Sequence, residues 1–169
     1  MAMPADSSIL AAVQAADEAG IKIEMVGGLP VWESMPTARH QRAVYAIQRS
    51  IAPRNTQEGG CGCVSYADVL VRFEDGSFKR PDIAIFCREP DEQDEAITLL
   101  PEAVIEIVSA GYEAKDYDIG LPFYLKIGVK DVVIFDPIRN HVLHARRDGT
   151  GEFVSPVKVQ FECGCLCIV

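Results

Sequence analysis

Pro81-Asp82-Ile83-Ala84-Ile85-Phe86 and Val104-Ile105-Glu106-Ile107-Val108 decide how this chain is read. Each is a short apolar run with the length and composition of a buried strand. Each also carries a carboxylate, Asp82 at the head of the first run and Glu106 in the middle of the second. Side chains alternate along a strand, so Glu106 falls on the face of Val104 and Val108. An unpaired carboxylate there is strongly destabilising and calls for a cationic side chain, backbone donors or a metal ion. For a single acid, a buried ion pair or a solvent-open edge is the plainer account. Two acids on consecutive strands, with a lysine-bearing helix downstream, favour a pair of hard oxygen ligands suited to Mg²⁺ or Mn²⁺. Such an ion can activate water and neutralise charge on a phosphodiester.

The elements around these strands give the fold class. The first 20 residues read as a helix, capped by Ser7 or Ser8 and closed by Gly20. Residues 21–26 alternate as a strand and lead into the turn Gly27-Gly28-Leu29-Pro30. Thr37 caps a second helix that runs to about Ile51 and must end by Pro53. His40, Val44, Ile47 and Ile51 share one face of that helix, and Arg39, Arg42 and Arg49 share another. Residues 65–73 and 78–86 flank Asp75-Gly76, a strong hairpin signal. Residues 88–95 form an acidic loop, 103–108 a buried strand, and 116–127 a helix interrupted near its start by Gly120 and Pro122. Residues 130–135, 141–146 and 154–169 read as further strands, with Asp148-Gly149 as a turn. This order predicts an α/β (α+β) chain with a mixed central sheet flanked by helices. One domain over 1–169 is expected, with its core at about 20–148 and C-terminal strands over 154–169.

Composition narrows the class. A chain of 169 residues with 49% hydrophobic and 24% charged residues is long enough to bury a core without staples. No apolar run reaches the ~20 residues of a membrane helix, so no membrane association is expected. The N-terminal residues lack a basic region followed by a long apolar stretch, so a cytoplasmic chain with free thiols is expected. A net charge of -9 argues against general coating of nucleic acid but leaves room for a local basic groove. Arg39, Arg42, Arg49 and Arg54, with no acid among them, are the most basic region.

Three ordered segments carry a family resemblance: Arg80-Pro81-Asp82-Ile83-Ala84-Ile85, then residues 100–109 around Glu106, then residues 123–137 ending in Phe135-Asp136-Pro137. Together with His40 upstream, they resemble the restriction-endonuclease-type family of the PD-(D/E)XK nuclease superfamily, over roughly residues 20–148. The resemblance implies a restriction-endonuclease-like core, a DNA substrate and Mg²⁺-dependent phosphodiester hydrolysis. It implies that Asp82 and Glu106 bind the metal and that His40 or Glu33 lies near the site. The superfamily lysine, two residues after the second acid, is Val108 here. The resemblance implies a lysine moved onto the following helix, which its commonest pattern would place at the position that is Gly120 in this chain. Lys115 is the nearest substitute and Lys126 the next. If neither reaches the site, the alternative is a nuclease-fold binding or regulatory module with weak chemistry or none.

The remaining candidates have plainer readings beside the functional ones. His40 is either a satisfied core histidine or a water or phosphate partner at the mouth of the site. Glu33 reads first as a solvated loop acid. Arg39 and Arg42 form either a solvated face or phosphate contacts, which would make binding salt-dependent. Tyr112 is either a loop anchor or a substrate contact. Cys61-Gly62-Cys63 and Cys163-Gly164-Cys165 are matched pairs, read first as small buried strand residues and second as a structural Zn²⁺ site or a disulfide link. A homodimer is plausible on the ground that duplex DNA has two strands to cut.

Overall fold

A computed structural model describes residues 6–54 and 61–169. In chain order the elements are α1 (Asp6–Glu18), β1 (Ile23–Val26), β2 (Leu29–Trp32), α2 (Ala38–Ser50), β3 (Ala52–Pro53), β4 (Val64–Ala67), β5 (Val71–Arg72), β6 (Phe78–Lys79), β7 (Ile83–Phe86) and β8 (Ala103–Ile107). A π-helical turn, Lys115–Gly120, runs into α3 (Leu121–Ile127). β9 (Asp131–Asp136), β10 (His141–Arg146), β11 (Gly149–Val154), β12 (Lys158–Gln160) and β13 (Cys165–Ile168) complete the chain.

The central sheet has six strands in the order β11-β10-β9-β8-β7-β4. Within this sheet, among the described residues, only β8 and β9 pair in parallel, Ile105 opposite Val133, because the helical crossover between them returns the chain to the same end of the sheet. Every residue of β7, β8 and β9 is buried. The middle of the sheet is therefore covered on both faces, which explains its nearly continuous apolar runs. Ile83, Ile85, Ile105 and Ile107 pack against Val44 and Ile47 of α2 and against Phe161, Cys165 and Cys167 of the C-terminal segment. Ala84 and Val104 pack on the opposite face against Phe123 and Tyr124 of α3. Glu106 lies on that second face, as its alternation with Val104 requires. Two smaller sheets, β2-β1-β6-β5 and β12-β13-β3, flank the central one.

The architecture expected from sequence is present, with local corrections. α1 is described over Asp6–Glu18, so Ser7 and Ser8 lie inside the helix instead of capping it, and residues 1–5 of the expected helix fall outside the described residues. Thr37 does cap α2: the His40 N–H donates to its Oγ1 at 3.3 Å. The long hairpin expected over 65–86 is two short pairings in different sheets. Gly76, at φ 81°, makes the turn between β5 and β6. Asp68, at φ 55°, breaks the outgoing strand and Pro81 the returning one, so β4 and β7 pair separately in the central sheet. Gly120 and Pro122 do not interrupt their helix. A π-turn crowds residue 120 against the preceding turn, where a Cβ would stand 3.1 Å from the Lys115 carbonyl oxygen, so glycine fits there. Pro122 lies in the first turn of α3, where its missing N–H costs nothing. The expected strand over 154–169 is divided by a turn at Gly164, φ 93°. Among the described residues, no helix is long and apolar enough to cross a membrane.

The free-thiol expectation is corrected as well. Cys61 is bonded to Cys87 and Cys63 to Cys165, while Cys163 and Cys167 are free. Cys61 and Cys63 lie in the segment before β4, not on a strand, and only Cys165 and Cys167 share the buried face of β13.

Candidate active site

Asp82 stands at the point where Pro81 delivers the chain into β7. Its Oδ2 accepts a hydrogen bond from the Ile107 backbone N–H at 2.7 Å and lies 3.1 Å from His40 Nε2. Its own backbone N–H donates to Glu106 Oε2 at 3.2 Å. The two acids are thus laced together across β7 and β8. The Tyr124 hydroxyl, fully buried on α3, donates to Glu106 Oε1 at 2.7 Å. From the π-turn, Lys115 sends its Nζ to Glu33 Oε1 at 2.7 Å, with Asp116 Oδ1 at 3.5 Å. Behind these groups Lys79 and Glu24 form a fully buried ion pair. The Arg80 backbone N–H donates to Glu24 Oε1 at 2.8 Å, and the Lys79 ammonium sits 5.1 Å from the Tyr124 ring centre. An open cleft of about 50 Å³ is lined by Glu33, His40, Asp82, Tyr112, Lys115 and Asp116, among others. Glu106 lies beneath it, one hydrogen bond from Asp82.

The electrostatics follow from five carboxylates gathered around two lysines and one histidine. Burial raises the Glu106 carboxyl well above its ordinary value; Lys115 opposes this, and the charges of Asp82 and Asp116 add to it. Burial, reinforced by Glu24, pushes Glu33 up to about 7 despite its bond to Lys115. Burial likewise pushes Asp116 to about 6, with Lys115 again opposing. For Lys115, burial alone would lower the pKa, but Glu106, Glu24, Glu33 and Asp116 together raise it, so it stays an ammonium. Burial would also lower His40, yet its bond to Asp82 wins and the imidazole pKa is raised. Glu24 is the acid that Lys79 and Lys115 hold below its ordinary value against the cost of burial.

Of the sequence candidates, Asp82, Glu106, His40 and Lys115 meet at one place. Glu33 is no solvated loop acid: its side chain is 9% exposed and paired with Lys115. Lys126 lies elsewhere, beside Gly27 and Asp75. Tyr112 lines the cleft and is 40% exposed. Arg39 lines a neighbouring groove that shares Ser34, His40 and Ser109 with the cleft. Arg42 is exposed on α2 and lines neither. Glu24, Lys79, Asp116 and Tyr124 were not among the sequence candidates. Glu24 carried no signal, since an acid between apolar residues on an alternating strand is the ordinary solvent-facing pattern. Asp116 and Tyr124 look like ordinary helix residues until the π-turn aims them at Glu106 and the cleft.

Lys115 and Gly120 begin and end the π-turn. Tyr124 Cε2 would lie 3.7 Å from a Cβ at position 120. Position 120 therefore adjoins the side chain that holds Glu106.

The donor set suits a hard divalent cation. Buried oxygens exceed the cations available to neutralise them, and Asp116 Oδ1 is buried with no hydrogen bond, only the approach of Lys115 Nζ at 3.5 Å. Among the described residues, the only groups of three donor atoms within 4.8 Å of one another are made of cysteines. Asp82 lines the cleft, and the buried Glu106 adjoins it through the Asp82 backbone N–H, so the pair stops short of a full protein cage, as suits Mg²⁺, an ion that takes one or two carboxylates and keeps its waters.

A mixed sheet with acids on adjacent central strands, a helical crossover after the second, and helices on both faces is the restriction-endonuclease-like nuclease fold. The chain belongs to the Uma2 family, described as "Putative restriction endonuclease", whose model matches residues 9–162. It is similar to the crystal structure of "a putative nuclease belonging to DUF820" from Anabaena variabilis. The TM-score is 0.62 at 23% identity, over 82% of this chain and 80% of that one, a likeness of fold. No protein of curated function matches the chain.

Proposed function

We propose that this chain is a Mg²⁺- or Mn²⁺-dependent endonuclease that hydrolyses phosphodiester bonds in DNA, with Asp82 and Glu106 as metal ligands. The observation that carries this reading is the direct linkage of Asp82 to Glu106 beside a cleft into which Lys115 projects. The cation supplies Lewis acidity and charge neutralisation at the scissile phosphate. Asp82 is fixed for binding by the Ile107 N–H and His40, which occupy one of its oxygens. Tyr124 orients Glu106 through the oxygen turned away from Asp82. Lys115, cationic across the accessible pH range, stabilises charge developing on the phosphate oxygens. Arg39, with Tyr112 at the cleft mouth, contacts the approaching backbone.

The test is cleavage of supercoiled plasmid with Mg²⁺, with Mn²⁺ and with chelator. Cleavage is expected only with metal, and Asp82→Asn, Glu106→Gln or Lys115→Met should each lower it by about 10²-fold or more. Wild-type rates in both carboxamide variants would refute the assignment. A second reading, a nuclease-fold module that binds without cutting, is favoured by the engagement of Lys115 with Glu33 at 2.7 Å. It predicts metal-dependent DNA binding with intact plasmid.

A further inference from the structure

Outside the lining of the cleft, five sulfurs from three parts of the chain fall into two groups of three. Cys61, Cys87 and Cys163 place their Sγ atoms within 4.8 Å of one another, and so do Cys61, Cys63 and Cys165. Cys61 belongs to both groups. The site therefore differs from the two Cys-Gly-Cys pairs alone, because Cys87, just after β7, is drawn in.

The backbone is shaped to bring them together. The Gly62 N–H donates to the Cys87 carbonyl at 3.0 Å, and a Cβ at residue 62 would stand 3.0 Å from that same oxygen. Only glycine lets the Cys61–Cys63 segment lie this close to the end of β7. Cys63 is at φ 50°, a conformation that side chains other than those of Gly, Asn and Asp rarely adopt. On the other side, Gly164 at φ 93° turns the chain between Cys163 and Cys165. That turn is held by the Arg54 N–H on the Gly164 carbonyl at 2.8 Å and by the Phe161 N–H on the Cys165 carbonyl at 2.8 Å.

Two disulfides do not account for this arrangement. They use four of the five sulfurs and leave Cys163, a half-buried thiol, within 4.8 Å of both sulfurs of the Cys61–Cys87 bond. A tetrahedral thiolate site with metal–sulfur bonds of about 2.3 Å needs sulfurs within about 4 Å of each other. Each group of three, with its sulfurs within 4.8 Å of one another, comes near that spacing, and Cys61 joins the two groups.

We propose that the reduced chain binds one soft divalent cation of the Zn²⁺ class through Cys61 and three of Cys63, Cys87, Cys163 and Cys165. Opening the two disulfides takes four electrons from a thiol or phosphine reductant and four protons, from the thiol itself or from the water that converts the phosphine to its oxide, and yields four thiols. Zn²⁺ binding then releases four protons and forms four metal–sulfur bonds. The site ties the segment before β4 and the β12–β13 turn to the end of β7. It is independent of the nuclease reading.

The test is titration of the full chain, reduced with a phosphine and kept anaerobic, with Co²⁺ as the spectroscopic probe, followed by Zn²⁺. The expected result is one Co²⁺ per chain with the intense near-ultraviolet charge-transfer band of several thiolates, displaced by one Zn²⁺. Cys61→Ser should weaken binding by about 100-fold or more, because it removes the shared ligand. Cys167→Ser, outside both groups, should leave it unchanged. Failure of the reduced wild-type chain to develop a thiolate–Co²⁺ band would overturn the proposal, and this needs no variant to fold. An unchanged band in both Cys61→Ser and Cys87→Ser would overturn it equally.

Discussion

Replacing Lys115 by methionine should destabilise the chain by an amount that depends strongly on pH. The Lys115 side chain is 12% exposed and touches Glu33, 9% exposed, and Asp116, 4% exposed. Each pKa unit corresponds to about 1.4 kcal/mol. Raising Glu33 from 4.5 to about 7 therefore makes its ionisation in the folded chain unfavourable by roughly 3 kcal/mol. Raising Asp116 from 3.8 to about 6 adds a similar amount. The sign follows directly. Both folded pKa values lie above the unfolded ones, so their stabilising contribution is complete below about pH 4 and is lost as pH rises through 6 and 7. Lys115 is what keeps that loss from being larger. At pH 8, with both acids ionised, removing it leaves buried charge uncompensated and should cost about 3–5 kcal/mol. At pH 5 the acids are largely protonated, and only a hydrogen bond and some packing are lost, about 1–2 kcal/mol. Urea unfolding of wild type and Lys115→Met at the two pH values measures the difference. Equal costs at pH 5 and pH 8, or a cost below about 1 kcal/mol at pH 8, would refute the coupling of these three groups.

Three further outcomes can be checked by unfolding experiments. Tyr124→Phe removes the sole protein donor to Glu106 Oε1 among the described residues and should cost about 1–3 kcal/mol in urea titrations; a change within error would mean that the hydroxyl does not hold that carboxyl. Glu24→Gln leaves the fully buried Lys79 ammonium without its partner and should cost about 3–5 kcal/mol, whereas Glu24→Leu combined with Lys79→Met should recover much of it in thermal melts. Reducing the metal-free chain should cost about 2–5 kcal/mol, mostly from Cys63–Cys165, which spans 102 residues, and Zn²⁺ added to the reduced chain should restore stability.

The central strands and their two acids were legible in sequence because burial on both faces leaves an unmistakable run of apolar residues. Against it, Asp82 and Glu106 stand out as chemical exceptions. Thr37 was legible for a local reason, since a cap is decided by the residues next to it. Long-range geometry was not legible. Whether 65–86 made one hairpin or two pairings depended on Asp68 adopting a left-handed conformation and on Pro81 ending the return strand, and the competing Asp-Gly signal was correct only for the turn itself. The role of Lys115 depended on a π-turn, whose extra residue no hydrophobic period reveals. Glu33 read as a loop acid because its partner lies 82 positions away. Cys87 carried no mark at all, being a single cysteine after a strand, and its association with both Cys-Gly-Cys segments arises only when the sheet brings β7 beside the C-terminal turn.

The most direct measurement of the central claim is anomalous diffraction from crystals of this protein grown with Mn²⁺. A manganese peak is expected at the cleft, within coordination distance of carboxylate oxygens from both Asp82 and Glu106 and lost in Asp82→Asn. A cleft that stays empty at millimolar Mn²⁺, or a peak bound without either carboxylate, would contradict it.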